Sequence, residues 1–119
     1  MQFEHQLLND MYAAFNARDI DSCLAGMHAD VIWANGMDGG YVYGHQGVRE
    51  YWTRQWKLVD PKVEPTGFRS HADKIIIDVH QVVHAIDGTL LLDRMVSHIF
   101  TLKDGLIRQF DIGEETSMP

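Results

Sequence analysis

The sequence predicts an α+β domain, with helices in the first half of the chain and an antiparallel sheet in the second. Apolar residues recur at helical spacing over residues 3–17, whereas beyond residue 62 they alternate with a period of two. Two Asp-Gly pairs, Asp87-Gly88 and Asp104-Gly105, separate long alternating segments and are typical of β-hairpin turns. Helices followed by strands, rather than interleaved with them, are typical of this class.

The first half is expected to hold three helices and two short strands. Asp19 or Asp21 caps the second helix, because aspartate at this position accepts a bond from a free helical N–H. The third helix ends at Asp60-Pro61, since the residue before proline avoids helical geometry. The predicted elements are helix 3–17, helix 20–27, strand Val31–Asn35, strand Tyr41–Tyr43 and a helix from Gly47.

Four strands are predicted in the second half. Pro65 lacks a backbone N–H, so the strand that contains it is expected at an edge of the sheet or with a bulge. The predicted strands are Lys62–Ser70, Lys74–Ile86, Thr89–Lys103 and Leu106–Gly113.

The two hairpins predict which residues share a face of the sheet. If each Asp-Gly pair is a two-residue loop, Gln81 lies opposite Arg94 and His98 lies opposite Asp111. Opposed residues share a face, with Cβ atoms about 4.5–5.5 Å apart. The face predicted to meet the helices is mostly apolar but carries five polar residues: Gln81, Arg94, His98, Gln109 and Asp111.

Polar groups on a core face favour a mutual network and a cavity, because unpartnered burial costs roughly 1–3 kcal/mol each. A carboxylate beside His98 would orient the imidazole and raise its pKa. The alternative is a buried pair of His98 and Asp111 that only fixes strand register. Trp52 and Trp56 are core residues or an aromatic wall for a flat ligand.

Composition excludes several classes of function. The net charge is −7, and the ten Lys and Arg residues are scattered, which argues against nucleic acid and against an anionic membrane.

His80 and His84 share a strand face but lie roughly 13 Å apart, so no metal site is expected. Cys23 is the only cysteine, and the first residues lack a signal-peptide pattern. We expect one domain over residues 1–119 and a cytoplasmic location.

The opposite face of the sheet predicts a homodimer. Apolar side chains there are expected to form a patch, and exposed patches of this kind mark association. Its predicted members are Ile76, Val82, Met95, Ile99 and Phe110.

Four segments resemble the nuclear-transport-factor-2-like (NTF2-like) superfamily, and among its members the SnoaL-like polyketide cyclases and ketosteroid isomerases. The resemblance covers nearly the whole chain and depends on the order and spacing of the segments. They are Tyr12–Asp19 (YAAFNARD), His28–Asn35 (HADVIWAN), Gly44–Trp52 (GHQGVREYW) and Asp104–Ile107 (DGLI).

The resemblance implies a cone of three helices over a curved, mainly antiparallel sheet, with a pocket inside and dimers through the outer sheet face. Asn35, His98 and Asp111 match the asparagine, histidine and aspartate of the SnoaL-like cyclases. Val96 stands where that family has a pocket glutamine, for which Gln81 or Gln109 is a substitute. The sequence differs from the ketosteroid isomerases at the position of their catalytic base and at the positions of both oxyanion donors.

The resemblance thus implies a cofactor-free aldol-type reaction on a small apolar or aromatic carbonyl compound. Asp111 would be the acid/base, with His98 and Asn35 stabilising an enolate. Gln81, Arg94, Trp52, Trp56 and Gln109 would bind the ligand. The alternative is a ligand-binding or dimerisation module without chemistry. Asn35 also fits a turn, because asparagine tolerates positive φ.

Overall fold

The computed structural model describes residues 2–36 and 38–113, which form three helices and one six-stranded sheet. This confirms the α+β prediction and the order of its elements. In chain order the elements are α1 (Gln2–Asn16), α2 (Ile20–Ala25), β1 (Met27–Ala34), β2 (Tyr41–Tyr43), α3 (Gly44–Leu58), β3 (Val59–His71), β4 (Lys74–Ala85), β5 (Leu90–Lys103) and β6 (Leu106–Gly113).

The strands are arranged in the order β2-β1-β6-β5-β4-β3. Only β1 and β6 are parallel; the other neighbours are antiparallel. β3 lies at an edge, and its register shifts between Pro65 and Gly67, so it is both an edge strand and bulged. Asn16 of α1 binds the backbone of Val63 at 2.8 and 3.0 Å. This contact occupies backbone groups that an open edge would leave free.

The helices cover one face of the sheet, called here the inner face. The side chain of Asp19 accepts from the N–H of Ser22 at 3.2 Å, which confirms the predicted cap of α2. α3 begins at Gly44 rather than at Gly47, because Gly44 adopts a φ of +72° that starts the turn into the helix. None of the helices described is long and apolar enough to span a bilayer.

The first hairpin has a three-residue loop rather than the predicted two-residue loop. Ala85 and Thr89 close it, and Gly88 has a φ of +95°, as in a type I turn followed by a glycine bulge. Beyond the pair of His84 and Leu90, the register of β4 against β5 shifts by one residue. The longer loop and this later shift offset each other, so Gln81 lies opposite Arg94 as predicted.

The second hairpin has the predicted two-residue loop, but the register shifts by one residue immediately after it. Leu102 pairs with Ile107 as predicted, whereas Thr101 pairs with Gln109, which leaves Arg108 as the extra residue of a bulge. Beyond the bulge every β6 side chain is on the face opposite to the predicted one.

The bulge makes the prediction of His98 opposite Asp111 wrong. His98 pairs with Ile112, and Asp111 pairs with Ile99 on the outer face. Gln109 also faces outward, and Phe110 is a buried inner-face residue rather than part of an outer patch. The other predicted members of that patch are half-buried outer-face residues: Ile76, Val82, Met95 and Ile99.

Candidate functional site

A cavity of about 270 Å³ lies between α1, α3 and the inner face of the sheet. Its walls are aromatic and aliphatic, and the aromatic residues come from both helices and from β1 and β6. Trp52 is only 1% exposed and packs edge to face on Trp33 and Phe15, while Phe110 stacks on Trp33. Such walls favour a flat, mostly apolar ligand.

Tyr12 and His98 form a hydrogen-bonded pair in this cavity. The Tyr12 Oη and His98 Nδ1 atoms are 2.7 Å apart, and the two rings are stacked. His98 is 7% exposed, and burial lowers its pKa from 6.5 to about 3. Burial also raises the pKa of the Tyr12 phenol well above its usual value. Both groups are therefore neutral at pH 7.

In either tautomer of His98, one polar hydrogen of the neutral Tyr12–His98 pair is left available to a ligand. If Tyr12 donates to Nδ1, the imidazole carries its hydrogen on Nε2, which has no partner among the described residues. If Nδ1–H donates instead, the phenol hydrogen stays free. In both cases one buried donor is available to a carbonyl oxygen in the cavity.

Gln81 and Arg94 also line the cavity, side by side on β4 and β5 as the sequence predicts. Neither side chain has a hydrogen bond or an ion pair among the described residues. Arg94 is the only charged residue in the described lining, which contains no aspartate or glutamate.

Gln55 on α3 is a further polar residue of the lining. Gln55 Nε2 donates to Tyr51 Oη at 3.4 Å, and that oxygen also accepts from the N–H of Gly36 at 3.1 Å. The Oε1 atom of Gln55 is buried without a partner among the described residues. The spacing of α3 alone did not single out Gln55 or Tyr51.

Asp111 lies outside the cavity. Its carboxylate accepts from Tyr41 Oη at 2.5 Å and from Gln109 Nε2 at 3.0 Å on the outer face. The predicted acid/base at Asp111 and the predicted ligand contact of Gln109 are therefore incompatible with this site. The Arg108 bulge is the cause, since it turns both side chains away from His98.

Asn35 lies in the turn after β1. Its Oδ1 accepts from the N–H of Asp38 at 2.9 Å, and its backbone binds Gly39 and Gly40. These contacts agree with the turn interpretation. Asn35 is absent from the described cavity lining, although its neighbours Ala34 and Gly36 belong to it.

The two predicted tryptophans differ in position. Trp52 is in the cavity wall, whereas Trp56 stacks behind it at 5.7 Å between ring centroids, outside the described lining. Trp56 also packs against Phe15 and lies 5.0 Å beneath the Arg18 guanidinium. Trp56 is therefore a supporting core residue.

Tyr12 is the residue that the sequence interpretation missed. The sequence places it on the apolar stripe of residues 3–17 and one position away from the tyrosine of the ketosteroid isomerases, and neither observation predicts a role in the site. The position of α1 over β5 decides that its hydroxyl meets His98, and periodicity carries no information about that position.

The described residues contain no group of three or more histidine, cysteine, aspartate or glutamate side chains placed to hold a metal. The site is an apolar cavity with one neutral buried donor pair, two amides and one cation among its described lining residues. Helices over a curved sheet that enclose such a cavity define a protein of the NTF2-like class.

Comparison with known proteins defines the family. The SnoaL-like domain family matches residues 8–110, and the chain belongs to this family. No curated protein matches the sequence.

Several solved structures share the fold. TerC, co-crystallised with polyporic acid, is 26% identical with a TM-score of 0.84, over 96% of this chain and 92% of that chain. An NTF2-like protein of unknown function from Burkholderia pseudomallei is 23% identical, with a TM-score of 0.85 over 98% and 94%. A protein from Xanthomonas campestris proposed to be a polyketide cyclase is 19% identical, with a TM-score of 0.78 over 96% and 91%.

Proposed function

We propose that this SnoaL-like protein binds a flat, mostly apolar carbonyl compound and hydrogen-bonds its oxygen through the Tyr12–His98 pair. The observation that carries the proposal is the pair itself, a buried neutral donor in an apolar cavity of about 270 Å³. A cavity of this size suits a ligand of about two fused rings. The co-crystal of TerC with polyporic acid supports a small-molecule ligand for this fold.

The pair would polarise the carbonyl group, since a preorganised donor stabilises negative charge that develops on oxygen. Abstraction of a proton next to the carbonyl needs a base as well. The described lining supplies no carboxylate, and His98 with a pKa of about 3 is a weak base. The proposal is therefore binding with polarisation of the carbonyl, and it replaces the acid–base role of Asp111. Self-association through the outer face and a cytoplasmic location stay predictions.

A pair of probes of the same shape tests the role of the donor. 2-Acetonaphthone carries a carbonyl oxygen where 2-isopropenylnaphthalene carries a CH2 group, and quenching of tryptophan fluorescence reports binding of either. The wild-type protein is expected to prefer the ketone by about fivefold to tenfold, as one buried hydrogen bond contributes roughly 1 kcal/mol.

The double variant Tyr12→Phe/His98→Leu removes both partners, a change that leaves no buried polar atom unpaired and spares stability. We expect it to bind the two probes equally. Asp111→Asn is the matched control and should keep the ketone preference. A double variant that still prefers the ketone would refute the proposed donor.

A further inference from the structure

We propose that the ligand is an organic anion, and that Arg94 and Gln81 bind its negative charge at the end of the cavity away from Tyr12 and His98. This inference rests on the proposed function and adds the charge of the ligand to it. It depends on the position of Arg94, its lack of a partner among the described residues and the absence of acidic side chains from the described lining of the cavity.

Arg94 and Gln81 form one pair of opposed residues on the inner face. Their Cβ atoms are therefore about 4.5–5.5 Å apart, within reach of a single ligand group. Both side chains line the cavity, and neither has a hydrogen bond or ion pair among the described residues. Two sets of N–H donors thus lie on neighbouring strands at the cavity, with no acceptor among the described residues.

Four of the other five arginines behave differently, whereas Arg108, the bulge residue of β6, is also without a partner among the described residues. In a protein of net charge −7 carboxylates are abundant, and four arginines are each paired with an aspartate. Arg94 instead faces a cavity whose described lining contains no acidic side chain. The paired arginines are Arg18 with Asp60, Arg49 with Asp21, Arg54 with Asp38, and Arg69 with Asp78.

A guanidinium next to an amide is suited to a planar anion. Its N–H groups form a fixed fork that matches a carboxylate or an ionised enol, and hydrogen bonds to charged acceptors are roughly twice as strong as neutral ones. Arg94 itself is exposed, and the apolar walls exclude water from one side of the ion pair only. A cation in this position therefore selects against neutral ligands.

The distance between the two polar ends limits the length of the ligand. His98 and Arg94 are four residues apart on β5, which is roughly 13 Å along a strand. Two fused rings with polar groups at opposite ends, hydrogen-bonded at both, bridge a distance of that order. The ligand class is an aromatic carbonyl compound with a carboxylate or an ionised acidic hydroxyl at the far end.

The closing experiment compares 6-acetyl-2-naphthoate with 6-acetyl-2-naphthamide, which differ in charge but hardly in shape. Dissociation constants are measured by calorimetry on the full chain at pH 7. Arg94→Met keeps the length of the side chain and removes its charge. Lys103→Met makes the same charge change at an exposed position outside the described lining, and it is the matched control.

We expect the wild-type protein and Lys103→Met to bind the naphthoate about tenfold more tightly than the amide. Arg94→Met should lose this preference with little change for the amide. Rising salt should weaken only naphthoate binding, since it screens a partly exposed ion pair.

Equal binding of the two probes by the wild-type protein, or an unchanged preference in Arg94→Met, would overturn the anion inference alone. Failure of the wild-type protein to bind either probe would overturn both the inference and the proposed function.

Discussion

Replacement of His98 by glutamine should flatten the dependence of stability on pH between pH 7 and pH 5. In the folded protein burial holds the pKa of His98 at about 3, below its ordinary value of 6.5. The unfolded chain therefore takes up a proton over this range that the folded chain does not. Because protonation favours the unfolded state, stability falls as pH falls from about 6.5 towards 3.

The size of the effect follows from these two pKa values. At pH 5 the unfolded histidine is almost fully protonated and the folded one is not, so the wild-type protein should be about 2 kcal/mol less stable than at pH 7. The other histidines are not comparably buried. Glutamine retains a group that can bond Tyr12 but does not titrate.

Urea unfolding at several pH values gives the free energy directly. His71→Gln is the control, because the His71 side chain is exposed and has no hydrogen bond or ion pair among the described residues. Between pH 7 and pH 5 the free energy of unfolding of this control should fall about as much as that of the wild-type protein. The free energy of unfolding of His98→Gln should fall clearly less. A wild-type protein equally stable at pH 5 and pH 7, or a His98→Gln variant with the original slope, would show that His98 is not buried in neutral form.

Two further predictions concern the wall of the cavity and the outer face. Trp52→Ala should destabilise the protein by about 3–5 kcal/mol in urea unfolding, because it empties a site in contact with Phe15, Trp33 and Trp56. Tyr43→Ala is the control, because Tyr43 is 66% exposed, and it should change stability by less than about 0.5 kcal/mol. Equal losses of stability in the Trp52 and Tyr43 variants would contradict the packing described. Asp111→Asn should lower the pKa of Tyr41, which the hydrogen bond to that carboxylate raises. Ultraviolet titration of the phenolate would refute the contact if the variant and wild-type curves coincide.

Local patterns in the sequence were sufficient for the architecture. The strand at Tyr41–Tyr43, the edge position of the Pro65 strand and the cap at Asp19 each depend on residues close in sequence. The pairing of Gln81 with Arg94 survived an error in loop length, because the second irregularity in that hairpin restores the register. The contact of Tyr12 with His98 depends on how α1 lies on the sheet, which no local pattern specifies.

The bulge at Arg108 explains why the predicted reactive pair failed. A regular register would have buried Asp111 against His98 and Gln109 against Phe100, and would have exposed Phe110. Taking an ionised carboxylate out of water costs several kcal/mol even beside a neutral imidazole, far more than one disrupted ladder bond. The bulge instead buries Phe110 against Trp33 and gives Asp111 the Tyr41 hydroxyl. Ile107 and Phe110 are three residues apart, so a regular strand would place them on opposite faces, and only the inserted residue lets both reach the inner face.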